Sequence, residues 1–195
     1  VAMRDLEIRG AGNLLGAEQS GQIEAVGFEM YLQLLREEIS RARGEKVESE
    51  EQKPVLVEAP LDAYLPPEYV QDEIERVDLY RRASGLSSLA EADDLAEELA
   101  DRFGKLPDPA RNLLGLSRVK ILARSIGATS VTYRQGTLTI VGIQGSPAAA
   151  PAALRRSVGG QVNMREGRIS VRGASEEDGP LALMEAALGA VSYTH

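Results

Sequence analysis

Apolar positions change their period along this chain, and each change marks a new element. Residues 1–8 read as the end of a helix. Phe28, Tyr31, Leu32, Leu35 and Ile39 then recur at helical spacing, with Gly44 placed to cap that run. Charged, aperiodic residues 45–53 read as an exposed linker and the main domain boundary. Pro54–Ala59 is a short extended segment, and Pro60, Pro66 and Pro67 punctuate a loop.

Three helices are expected next. The first covers roughly 71–84. The second starts at Ser87 or Ser88 as N-cap, puts Leu89, Ala92, Leu95, Leu99 and Phe103 on one face, and ends at Gly104. The third takes Asp108 as N-cap with Pro109 at the first helical position and runs to about Ile126, where Gly127 stops it.

After Gly127 the period falls to two. Val131 and Tyr133 lead into Gln135-Gly136, and Leu138 and Ile140 lead out; Val162 and Met164 lead into Glu166-Gly167, and Ile169 and Val171 lead out. Each set reads as a β-hairpin closed by a two-residue turn. An Ala- and Leu-rich helix follows each, near 148–158 and 180–191. The fold class is therefore α+β: helices first, then a loose ββα–ββα duplication forming one small sheet with helices on one face.

Composition narrows the chemistry. The chain has 195 residues, no cysteine, and one histidine, His195 at the last position. Disulfides, thiol catalysis, His-dependent triads and Cys/His metal sites thus lack their residues. No run of 18 apolar residues occurs, so no membrane span is expected, and a cytoplasmic protein is. Val1 leads directly into patterned sequence, as in a piece of a longer protein. The net charge of −8 is uneven. Residues 45–110 carry 7 basic and 18 acidic side chains, whereas residues 111–195 carry 10 and 5. An acidic middle repels nucleic acid and attracts basic protein surfaces.

Residues 9–27 contain five glycines, too many for a long helix, yet Leu14, Leu15, Ile23 and Val26 are spaced through them. A loop with apolar anchors is pinned to something. Gly10, Gly12 and Gly16 do not have dinucleotide-fingerprint spacing, and no G-x-x-x-x-G-K-[ST] segment occurs. ATP binding or hydrolysis by this chain is therefore not expected. From residue type alone, Arg9 suits a phosphate or carboxylate, or simply pairs with Glu7 or Asp5. Glu98, Asp101 and Arg102 lie at i, i+3 and i+4 and share one helical face. They form either a contact patch for another surface or an intrahelical ion pair, the latter contributing only tenths of a kcal/mol.

The segment from Arg4 through Gly21, continuing through Val26-Gly27-Phe28 to Leu35, resembles the translocation motif shared by the RecG helicase and the transcription-repair coupling factors (the Mfd family). The resemblance implies that Arg9 and Gln19 match the motif's functional arginine and glutamine. Gly10, Gly12, Gly16, Ser20 and Gly21 would belong to the hinge-like loop around them. Leu61–Val70, Arg76–Arg82 and Asp101–Pro107 resemble the C-terminal domain of the coupling factors, which RecG lacks. The likeness weakens beyond about residue 145.

The implied organisation is a motif end at 1–44, a linker at 45–53 and a C-terminal domain at 54–195. The implied role is a regulatory lid. In that family the domain folds onto the protein's own N-terminal UvrB-like module, covers the UvrA-binding surface, and restrains a double-stranded DNA translocase until RNA polymerase is engaged. Glu98, Asp101 and Arg102 match the residues of that contact. ATP and magnesium would sit in motor lobes that this chain lacks, so no cofactor, metal or catalytic residue is expected here. Three other readings compete: a RecG-like fragment, a carboxylate hydrolase using Asp93, Asp94, Glu97 and Glu98, and a DNA-binding module using Arg155, Arg156, Arg165, Arg168 and Arg172. Tyr64, Tyr69 and Tyr80 are expected to pack rather than stack on bases.

Overall fold

Capping chemistry sets the boundaries of the helices that carry the candidate site. In the computed structural model, which describes residues 55–143, 150–173 and 179–192, α1 spans Glu73–Gly85. Its N-cap, Asp72, accepts a hydrogen bond from the Glu75 N–H at 2.8 Å. Helix α2 spans Leu89–Phe103 and uses both serines expected at its start. Ser88 Oγ accepts from the Glu91 N–H at 3.2 Å, while the Glu91 carboxylate accepts from the Ser87 N–H at 2.8 Å. This is a capping box displaced by one residue. These bonds to Ser87 hold the Glu91 carboxyl below its ordinary range.

Helix α3 spans Asp108–Ser125, with Pro107 at the N-cap position and no side-chain cap bond. The expected Asp108 cap is corrected by one residue. Asp108 has helical backbone, and its carboxylate pairs with Arg111 one turn on.

The sheet holds five strands in the order β1-β2-β3-β5-β4: β1 Leu56–Glu58, β2 Ser130–Arg134, β3 Thr137–Val141, β4 Gln161–Arg165 and β5 Arg168–Arg172. Both two-residue turns have positive φ at each central residue, 48° and 71° at Gln135 and Gly136, and 32° and 72° at Glu166 and Gly167. Their twist matches that of the flanking strands. Strands β3 and β5 pair antiparallel through Thr139↔Ser170, which are equivalent positions of the two hairpins. The duplication is thus an approximate two-fold in the sheet. Helices α4 (Ala150–Val158) and α5 (Gly179–Ser192) follow the two hairpins. The extended segment expected at 54–59 becomes β1, which joins the edge parallel to β2.

One face of the sheet is the core. Val131, Leu138, Ile140, Ile169 and Val171 are fully buried, and Val119, Met184 and Leu188 from α3 and α5 are buried with them in one cluster. At about 25 cal/mol per Å² of apolar surface, such burial is the dominant stabilising contribution. Gly115 lets α3 and α5 approach closely, since a Cβ there would lie 2.7 Å from Leu181 Cδ1. Arg118 adds an ionic tie across three helices, pairing with Asp93 on α2 and with Glu185 on α5 at 3.3 Å. Residues 1–44, with Arg9, Gln19 and the motif glycines, and the linker at 45–53 lie outside the described residues. No described helix is long and apolar enough to cross a membrane.

Candidate functional site

Helices α1 and α2 lie side by side, and their adjoining solvent edges carry charge. Arg82 on α1 grips Glu98 on α2 with both ends of its guanidinium, at 2.8 and 2.5 Å. Arg102 donates to the same Glu98 at 2.9 Å and reaches back to Glu75 on α1. The result is a four-residue ladder, Arg82–Glu98–Arg102–Glu75, tying the two helices at two levels. The Arg82 hydrogen bond holds the Glu98 carboxyl below its ordinary range, and that same bond raises Arg82.

Glu98 and Arg102 therefore meet each other, as helical spacing allows, and also meet partners on α1 that the spacing does not reveal. Asp101, the third residue of the patch, is exposed, and no hydrogen bond or ion pair engages it among the described residues. A charge without a partner is where an incoming surface finds an opposite charge most cheaply, because no existing pair has to open.

The site sits on a stiff base. Leu99 and Leu95 are buried beneath it. Tyr69 Oη lies 2.9 Å from the carbonyl oxygens of both Leu99 and Gly104, clamping the C-terminal end of α2. Burial pushes the Tyr69 hydroxyl above its ordinary range. The rings of Tyr69 and Phe103 meet at 5.7 Å, and the Arg102 guanidinium lies 4.9 Å over the Phe103 ring. Arg102 is thus held by two carboxylates and an aromatic face. Tyr80 is buried and its oxygen accepts from the Leu65 N–H at 2.8 Å. Tyr69 and Tyr80 serve packing, as expected, and Tyr64 packs against the same core.

A groove of about 500 Å³ runs beside the ladder between the C-terminal end of α1 and the start of α2. Arg82, Leu86, Glu91, Asp94, Leu95 and Glu98 line it. Among the described residues, no group of three acidic or histidine side chains is placed to hold a metal ion. The acids of the hydrolase reading do not converge. Asp93 is taken by Arg118, Asp94 and Glu97 are exposed, and Glu98 is shifted toward the charged form, opposite to the need of a general acid.

Arg82 and Glu75 are the participants the sequence concealed. The only sequence signal for them is an acid and a base seven residues apart on α1, which is common on a solvated helix. The basic third also divides in space. Arg155 and Arg156 stand on α4 in the helical layer, whereas Arg165, Arg168 and Arg172 stand on the sheet.

Comparison with known proteins bears on this geometry. The TRCF domain family model matches residues 59–151. The transcription-repair-coupling factor of Mycobacterium bovis is 40% identical over 165 residues, covering 80% of this chain and 13% of that protein. That of Bacillus subtilis is 42% identical over 124 residues, covering 64% of this chain and 10% of that protein. The chain therefore spans about an eighth or less of the length of these curated relatives. A crystal structure of the C-terminal domain of a transcription-repair coupling factor superposes with a TM-score of 0.59 at 19% identity, covering 72% of this chain and 94% of that one.

Proposed function

The chain belongs to the transcription-repair coupling factor family, and from that premise we propose that its described domain is a regulatory lid rather than an enzyme. The lid docks through the α1–α2 charged edge onto the parent's own UvrB-like module. There it covers the surface that recruits UvrA and restrains a double-stranded DNA translocase until RNA polymerase is engaged. The parent acts in the cytoplasm, and its ATP and magnesium bind in lobes outside this chain. Residues 1–44, with Arg9 and Gln19, transmit lobe movement to stepping along DNA.

The observation that carries the lid reading is the exposed Asp101, without a partner among the described residues, beside a ladder that fixes Glu98 and Arg102 in place. A lid must hold and also let go. A polar edge suits this better than an apolar one, because exposed ion pairs exchange partners with little net change in free energy. Regulation requires that the engaged state bind its partners better than the closed state does.

Reversing Asp101 to arginine in the intact parent is expected to raise basal ATPase and UvrA capture together, by about five-fold or more, the lower range of ordinary allosteric coupling. Steady-state ATPase and a UvrA pull-down read the two effects. Unchanged values in both, with the domain still folded, remove Asp101 from the contact.

A further inference from the structure

The second face of the sheet has a chemistry that the lid does not use. Its central row, read across the strands, is Thr132, Thr139, Ser170 and Asn163. At one end of the strands stand Arg134, Thr137, Arg172 and Gln161; at the other, Ser130, Val141, Arg168 and Arg165. All four arginines are exposed. The acid described on this face, Glu58, is already held by Arg134 at 2.5 Å. No ion pair engages Arg165, Arg168 or Arg172 among the described residues.

Arg165 and Arg168 are directly opposite one another across the β4–β5 ladder. Like charges in that relation destabilise a hairpin. A pair that works against its own strand pairing has a natural use in gripping an anion that screens both charges. Strand spacings of about 4.8 Å and a rise of about 3.3 Å per residue put Arg172 about 13 Å from Arg168, and Arg134 about 10 Å from Arg172. The arginine positions therefore extend across the face beyond the Arg165–Arg168 pair, over a span wider than one small ion.

We propose that this open sheet face binds the phosphate backbone of duplex nucleic acid, independently of base sequence. The hydroxyl and amide row between the arginines supplies the neutral donors that phosphate oxygens accept. The strands bear no aromatic residue on this face, so it offers no platform for unstacked bases, and a duplex rather than a single strand is the matching polyanion. The face is separate from the α1–α2 edge and does not depend on the lid reading. In a chain of net charge −8 the affinity is modest, with the contact confined to this patch.

Binding of the 195-residue chain to a fluorescently labelled 20-base-pair duplex of arbitrary sequence, followed by anisotropy at rising salt, tests the assignment. About three phosphates engaged predict a slope of log K against log salt near −2.7. The triple substitution R165Q/R168Q/R172Q is expected to weaken binding at least ten-fold, while R155Q/R156Q on α4 leaves it unchanged. Should the triple variant not fold, R172Q alone is expected to weaken binding about three-fold. R168Q should also raise the melting temperature at low salt, because it relieves the opposed pair. Equal binding by the parent chain and R165Q/R168Q/R172Q, or by the parent chain and R172Q, overturns the proposal. So does loss of binding in R155Q/R156Q, or capture of poly-glutamate in place of duplex.

Discussion

Replacing Gly142 by alanine is expected to destabilise the domain by about 3 kcal/mol, a large effect for one added methyl group. Two causes add. Gly142 has φ of +91°, a region that side chains rarely enter. A Cβ built there would also lie 2.5 Å from Thr129 Oγ1 and 2.7 Å from the Thr129 backbone nitrogen. The side-chain clash can be relieved; the backbone clash cannot, because the Thr129 N–H is bonded to the Val141 carbonyl at 2.7 Å. The position joins the two halves of the sheet. The N–H groups of Gly142 and Ile143 both donate to the carbonyl of Gly167, in the turn of the second hairpin, at 2.9 and 3.3 Å. Denaturant unfolding should show a lowered midpoint with an unchanged slope, and the melting temperature should fall by about 10 °C. Adding Thr129→Ala should restore only a minor part. A loss under about 1 kcal/mol would mean that this junction is looser than its geometry indicates.

Replacing Arg76 by methionine is expected to cost about 2–3 kcal/mol, although methionine preserves most of the apolar stem. Arg76 is 6% exposed. Its guanidinium donates to the carbonyl of Val70 at 2.6 Å and to that of Gln71 at 3.3 Å. Without it, a buried carbonyl loses a charged donor and the Pro66–Gln71 loop loses its tether to α1. Both bonds leave one nitrogen, Nη1, so lysine should rescue in part, its ammonium donating to the same carbonyls from a shorter stem. The neighbouring residue, Glu75, anchors Arg102, so the defect should spread to the candidate docking edge. Thermal unfolding of R76M and R76K measures the cost. A lysine variant no more stable than the methionine variant would show that the reach of the guanidinium, not a charged donor alone, holds the loop.

The partners of these two positions are set by the fold, and they mark where the sequence was not informative. Local patterns made the helices and hairpins readable. Ser88, Gly104 and the Gln135-Gly136 and Glu166-Gly167 turns each fix their element through atoms a few residues away. Arg76, Tyr69 and Tyr80 stand in the segments that resemble the coupling factors, yet their partners lie at the far end of a loop or on another helix. Parallel pairing of Leu56–Glu58 with Ser130–Thr132 bridges more than seventy residues and leaves no trace in periodicity. The same holds for Arg82–Glu98. Nearness in number groups Arg155 and Arg156 with the sheet arginines. Folding separates them and brings in Arg134, which stands on the first hairpin, remote from the others in the chain.

For the candidate docking edge, the sequence identified three residues on one helical face but not their different states. Two are engaged within the domain, and Asp101 alone among them has no described partner. That difference comes from α1, which supplies Arg82 and Glu75 as partners for Glu98 and Arg102.

The central claim is that this domain restrains the motor by docking through its α1–α2 edge, and addition in trans tests it most directly. The parent protein truncated before its C-terminal domain is assayed for ATPase while the 195-residue chain is titrated in. A saturable fall in rate, lost when the added chain carries Asp101→Arg, is the predicted result. A rate unmoved by the chain at concentrations that saturate any binding, or lowered equally by the natural and Asp101→Arg chains, would contradict it.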